Sequence, residues 1–150
     1  MSQPESAKNV ESVGELARRA GRVLYDKDLA AQALGIQIIE VTPGGARLTM
    51  RVRADMTNGH KVCHGGLIFT FADTAFAYAC NSYGDNALAA AASIDFLVPA
   101  YADDALTAAA RELWRAGRSG LYEVEVTNQK GERIALFRGR SHRITGKLIE

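Results

Sequence analysis

The 150-residue sequence predicts an α+β domain, an antiparallel sheet of about six strands around one long central helix, with N-terminal helices. Three observations carry this reading. Between Leu67 and Cys80 the only polar side chains are Thr70, Asp73 and Thr74. That stretch is too short to span a membrane, and it is apolar on every side, as a helix inside a core is. Strand patterns flank it on both sides, and short turns link most of them, so neighbours pair antiparallel.

The elements follow in order. Met1 to Glu11 is polar and reads as a flexible tail, leaving residues 12–150 as a single domain. Ser12, with Glu15 three residues on, has the form of a capping box. Val13, Leu16, Ala17, Ala20, Val23 and Leu24 then repeat at helical spacing, although Gly14 and Gly21 disfavour a helix by roughly 1 kcal/mol each. Asp28 caps a second short helix, Leu29 to Leu34, and Gly35 stops it. Ile36 to Val41 and the alternating Leu48, Met50 and Val52 form a hairpin across Pro43-Gly44-Gly45. Ala54 to Val62 is a loop. After the helix, Leu88 to Val98 is a strand closed by Pro99. Leu106 to Trp114 suits a strand or a helix, because alanine is compatible with both. Tyr122, Val124 and Val126 alternate with polar residues, Gln129-Lys130-Gly131 turns, and Ile134 to His142 is the last strand.

Composition excludes several classes. With 18 basic and 17 acidic residues the net charge is +1, without the basic excess of a nucleic-acid binder. No run of 18 apolar residues is present, and Met1 to Glu11 has no apolar signal core, so no membrane association and a cytoplasmic location are expected. Cys63 and Cys80 are too few for a disulfide framework and read as reduced thiols. His60, Cys63 and His64 lack a defined second ligand pair, so no metal is expected. Cys63 and His64 are adjacent, point apart, and make a poor nucleophile and base.

Asp73 needs an explanation. It lies midway along the most apolar helix, and no basic residue occupies Phe69, Thr70, Phe76 or Ala77, one turn away. A buried, unpaired carboxylate costs several kcal/mol. Either it hydrogen-bonds locally, for instance to Thr70 or Thr74, or it is a desolvated base or nucleophile with a raised pKa. The start of the helix supplies a complement. Its first N–H groups lack internal partners, and Gly65 and Gly66 leave them open to a carbonyl oxygen, as in an oxyanion hole. Eight residues separate Gly65 from Asp73, roughly 12 Å along one helix, so one reacting carbon cannot touch both. Two antiparallel copies of the helix about a two-fold axis bring them together, which predicts a homodimer with two shared sites.

The segment Asn58 to Phe76, with its Asn, then His64-Gly65-Gly66, then Asp73 nine residues after the histidine, resembles the PaaI-type hotdog-fold acyl-CoA thioesterases. The likeness continues through Ala75 to Asn81, Ser93-Ile94-Asp95-Phe96-Leu97, Pro99 and Leu136 to Arg143, roughly residues 35 to 143. Within the family it is most similar to the phenylacetate-pathway branch. The resemblance implies a hotdog fold and Asp73 as general base or nucleophile. It implies the Gly65 N–H as the donor to the thioester oxygen, with Asn58 and His64 positioning substrate across the dimer. It further implies aromatic or fatty acyl-CoA substrates, with phenylacetyl-CoA and its ring-hydroxylated relatives preferred, no cofactor and a homotetramer built from dimers. Gly66 adds a further open amide, and Thr74 and Ser93 are candidate hydroxyls beside the attacking water. Arg138 and Arg140, with Arg111, Arg115, Arg118 and Arg143, are candidate contacts for the phosphates of coenzyme A. The alternatives are a hotdog dehydratase using His64 and Asp73, and a non-catalytic acyl-CoA-binding domain.

Overall fold

The computed structural model describes residues 10–149. The order is α1 (Val13–Lys27), α2 (Leu29–Ala33), β1 (Gln37–Thr42), β2 (Gly45–Arg51), a 3-10 turn (Ala54–Met56), α3 (Gly65–Cys80), β3 (Asp85–Phe96), β4 (Ala105–Ala116), β5 (Ser119–Thr127) and β6 (Arg133–Lys147). All strand pairs are antiparallel, in the spatial order β1-β2-β4-β5-β6-β3. One face of the sheet holds α3, which touches every strand, and this is the expected hotdog arrangement. The tail expected at residues 1–11 lies outside the described residues except for Val10, which is exposed, and Glu11, which pairs with Arg19 at 2.9 Å.

Local chemistry sets the N-terminal helices. Ser12 Oγ accepts the Glu15 N–H at 3.1 Å, and Asp28 Oδ1 accepts the Ala31 N–H at 3.0 Å. Gly21, unfavourable for a helix by propensity, has a packing reason. A Cβ there would lie 2.8 Å from Val41 Cγ2, so α1 approaches β1 closely only because the residue is glycine. Leu106 to Trp114, open between helix and strand from composition, is the strand β4. Leu106, Ala108 and Ala110 point to the core at every second position, and tertiary pairing with β2 and β5 overrides alanine's helical preference. Strands β3 and β6 run longer than their apolar cores suggested, reaching Asp85 and Lys147.

The core is aromatic where α3 meets β5 and β6. Phe76 packs edge-on to Tyr122 at 5.5 Å between ring centroids, and Phe69 packs edge-on to Phe137 at 5.3 Å. The far end of α3 is anchored by side chains. Asn81 Nδ2 donates to Ala77 O and Ala87 O, and Asn81 Oδ1 accepts the Ala87 N–H. Ser82 Oγ accepts the Gly44 N–H at 2.8 Å, tying the β1–β2 turn to the same point. These bonds fix the direction of α3, and hence where Asp73 faces.

Coverage of α3 is incomplete. Phe71, Ala72, Ala75, Phe76 and Ala79 are fully buried, but Thr70, Asp73, Thr74 and Ala77 are only half-buried. Strand β3 is an edge of the sheet, and Leu88 to Ala92 along it is exposed, with Leu88 60% accessible.

Gly139 faces α3, and a Cβ there would lie 2.9 Å from Phe76 Cε1 and Cζ. Gly139→Ala should therefore overpack the core and lower stability by about 1–3 kcal/mol. Chemical denaturation measures this, and a midpoint equal to wild type contradicts the packing described.

Candidate active site

The start of α3 is built by the preceding loop. Asn58 Oδ1 accepts the His60 N–H at 2.9 Å and the Val62 N–H at 3.4 Å, and Lys61 takes φ +63° to close the turn. The Cys63 N–H donates to Ala100 O at 2.7 Å and the His64 N–H to Met56 O at 2.8 Å, so the loop is held from both sides. With its oxygen occupied, Asn58 presents its Nδ2 amide, which has no acceptor among the described residues.

His64 caps the helix. Its Nδ1 accepts the Gly66 N–H at 2.9 Å, which leaves the ring proton on Nε2 when the ring is neutral. The Leu67 and Ile68 N–H groups bond back to His64 O at 3.0 and 3.2 Å. Of the first four amides of α3, three are thus committed. The Gly65 N–H alone has no acceptor among the described residues. Gly66, expected to offer a second open amide, has its N–H on His64. Phe96 lies over Gly65, where a Cβ would be 3.1 Å from Phe96 Cζ. Asn58, Gly65, Ile68 and Phe96 share a cavity of about 330 Å³ with Leu97 to Ala100.

Asp73 is not in that cavity. It is two turns further along α3, roughly 12 Å from Gly65. No hydrogen-bond or ion-pair partner reaches its carboxylate among the described residues. Thr70 Oγ1 donates to Gly66 O at 2.9 Å and Thr74 Oγ1 to Thr70 O at 2.6 Å, so both neighbouring hydroxyls are spent on the helix backbone. A local hydrogen bond from Thr70 or Thr74 to Asp73 therefore has no support in the geometry. Burial raises its pKa above the usual carboxylate range. Burial also raises the Cys63 thiol, and it pushes Cys80 up to about 12, with the charge of Asp73 adding a smaller upward effect. Both thiols are protonated at neutral pH, which disfavours a cysteine nucleophile. No group of three or more His, Cys, Asp or Glu side chains suited to a metal is present among the described residues.

The remaining candidates divide by face. Phe137 points to α3, so Arg138 and Arg140 point outward with Ser93, the register partner of Arg138. Arg138 pairs with Glu123 at 3.6 Å there. Phe96, to which the sequence assigned no role, lines the cavity over Gly65. Its register against Ala135, two residues after the inward Ile94, is the signal that locates it.

Residues 60–135 match the family model described as Thioesterase superfamily. The chain belongs to the thioesterase superfamily. Among curated relatives, this thioesterase is 52% identical over 125 residues to the acyl-coenzyme A thioesterase PaaI of Escherichia coli strain K12, covering 83% of this chain and 89% of that one. Among solved structures it is similar to the E. coli PaaI protein from the phenylacetic acid degradation operon, with a TM-score of 0.90 and 49% identity over 91% of this chain and 99% of the other. It is also similar to a Streptococcus mutans UA159 protein bound to acetyl CoA, with a TM-score of 0.71 and 26% identity over 75% and 90% of the two chains.

The raised pKa of Asp73 has a stability consequence. The folded chain holds that proton more tightly than the unfolded chain, so stability falls as pH rises from the unfolded to the raised folded pKa. Asp73→Asn removes the penalty for ionisation. The variant should be more stable than wild type at pH 7, and the gain should shrink as pH falls towards the unfolded pKa. Denaturation curves at both ends of that range test it, and a variant less stable than wild type at pH 7 counts against a desolvated, unpaired carboxylate.

Proposed function

We propose that this thioesterase hydrolyses acyl-CoA thioesters to the free acid and coenzyme A, acting on phenylacetyl-CoA and its ring-hydroxylated relatives. The observation that carries it is the pairing on α3 of one unbonded backbone donor, Gly65, with one unbonded, desolvated carboxylate, Asp73. Close likeness to a relative named an acyl-coenzyme A thioesterase, and to one from a phenylacetic acid degradation operon, supports the substrate class.

The groups act across a homodimer. The half-buried stripe of Thr70, Asp73 and Ala77 and the exposed apolar edge of β3 are both left uncovered in a single chain. A second copy on a two-fold axis covers both and brings its Asp73 towards Gly65 and Asn58. The thioester oxygen accepts from the Gly65 N–H and from Asn58 Nδ2. Asp73, made more basic by burial, takes a proton from water as the oxygen attacks the carbonyl carbon. The tetrahedral intermediate collapses, the C–S bond breaks, and the thiolate takes up a proton. Direct attack by Asp73 through a mixed anhydride uses the same geometry, and oxygen-18 entering the protein carboxylate in a single turnover distinguishes it. The reading includes dimers paired as a homotetramer and a cytoplasmic location. No helix among the described residues is long and apolar enough to cross a membrane.

A dehydratase would need a free histidine lone pair. His64 Nδ1 is already bonded to the Gly66 N–H and its Nε2 carries the proton, which weighs against that reading.

Thiol release from phenylacetyl-CoA, hydroxyphenylacetyl-CoA, benzoyl-CoA, acetyl-CoA and a long-chain acyl-CoA tests the proposal. Wild type should turn over the arylacetyl members, and Asp73→Asn should lose roughly 100-fold or more in kcat, the low end for removing a general base. Folded wild type that releases no thiol from any member sinks the hydrolytic reading and favours acyl-CoA binding without turnover.

A further inference from the structure

Phe96, the last residue of β3, takes no part in the mechanism above. Its ring lies against the start of α3, where a Cβ on Gly65 would be 3.1 Å from Phe96 Cζ and 3.4 Å from Cε1. The ring thus stands one van der Waals contact from the backbone that carries the unbonded Gly65 N–H. It is also unspent. Phe96 remains 54% accessible, whereas Phe71, Phe76 and Phe137 are buried in the core. No other aromatic ring among the described residues packs against it.

The wall that continues from Phe96 is fixed and offers few donors. The Leu97 and Val98 N–H groups both bond to Ile134 O, at 2.9 and 3.3 Å, and the Cys63 N–H bonds to Ala100 O at 2.7 Å. The Val62 N–H is on Asn58 Oδ1 at 3.4 Å, and Pro99 has no N–H. Among the described residues no charged side chain lines this cavity. The Cys63 thiol, pushed up by burial, is neutral. Of the two arms of a thioester, the pantetheine arm carries amides that need partners, and an apolar acyl group needs none. A wall of this kind therefore suits the acyl arm. A carboxylate on that arm would be desolvated without a cation to pair with. The Asp73 carboxylate that the proposed dimer brings there repels it as well.

We propose that Phe96 determines acyl specificity: its ring is the wall on which the acyl group lies, and with the uncharged run from Leu97 to Ala100 it admits flat, uncharged groups and turns away those that carry a second carboxylate. The proposal rests on the acyl-CoA reading and names the residue that sets its substrate class. Two ketone analogues of acyl-CoA are the probes, with a CH2 inserted between carbonyl and sulfur so that neither can be hydrolysed. One carries a benzyl group on the carbonyl and the other a methyl. Both contain coenzyme A, so the ratio of their dissociation constants isolates the acyl group. Titration calorimetry should show that wild type prefers the benzyl ketone, and Phe96→Ala should cut that preference roughly 10-fold, the scale of one lost aromatic contact and the area it covers. Phe96→Leu keeps apolar bulk without the flat face and should fall between. Trp114→Ala removes an exposed aromatic on β4 outside this cavity and should keep the wild-type ratio. In turnover, kcat/KM for succinyl-CoA should lie roughly 100-fold or more below that for butyryl-CoA, which has a methyl where the carboxylate stands. The proposal is overturned if wild type does not prefer the benzyl ketone, if Phe96→Ala keeps the wild-type ratio, if Trp114→Ala lowers it equally, or if succinyl-CoA turns over as fast as butyryl-CoA. Acyl-CoA hydrolysis with any of those results leaves the thioesterase reading standing without this role for Phe96. A benzyl preference lost in Phe96→Ala, in a chain that hydrolyses no acyl-CoA, leaves the role standing without the thioesterase.

Discussion

Burial of α3 against the sheet governs the rest of the molecule, because a helix apolar on every side has to be covered on every side. The sheet covers one side with Phe137, Tyr122, Val124 and the small residues Ala108 and Ala110. The other side, carrying Thr70, Asp73 and Ala77, is left half-buried in one chain. The same incompleteness exposes the apolar edge of β3. The proposed homodimer covers that side and puts Asp73 on the surface where the two copies meet.

The helix start contributes through what is left unbonded. His64 takes the Gly66 amide and its backbone oxygen takes the next two, so the positive end of the helix is concentrated on the Gly65 N–H. Asn58 spends its oxygen on the loop, and its amide has no acceptor among the described residues. Phe96 closes the space above, and Gly65 is the residue type that allows so close an approach. In the proposed mechanism these donors are fixed before any substrate arrives, which is the condition for an oxyanion site to lower a barrier.

The fold was largely legible from the chain. Period-two alternation marked β2 and β5, and the caps at Ser12 and Asp28 lie where side-chain chemistry required them. Leu106 to Trp114 stayed ambiguous because alanine carries no β preference, and only pairing with β2 and β5 decides it. Asp73 stood out by its surroundings, but its lack of a partner among the described residues depends on how the rest of the fold packs around it. The division among the arginines was not legible. Arg138 and Arg115 look equivalent in sequence, but strand register sends one to the outer face and the other to a cavity at the end of α3. The commitment of Gly66 to His64 was equally hidden, since it depends on a side-chain rotamer rather than on spacing.

In the proposed mechanism Gly65 and Asn58 of one copy act with Asp73 of another. Mixing two inactive chains tests it. Asp73→Asn and Asn58→Ala are unfolded together, refolded and assayed for phenylacetyl-CoA hydrolysis. Hybrid dimers carry one site with both wild-type residues, so random mixing should restore activity to about a quarter of wild type. If the mixture instead forms dimers and stays as inactive as its parents, the two residues serve sites within single chains, and the shared site described here is wrong.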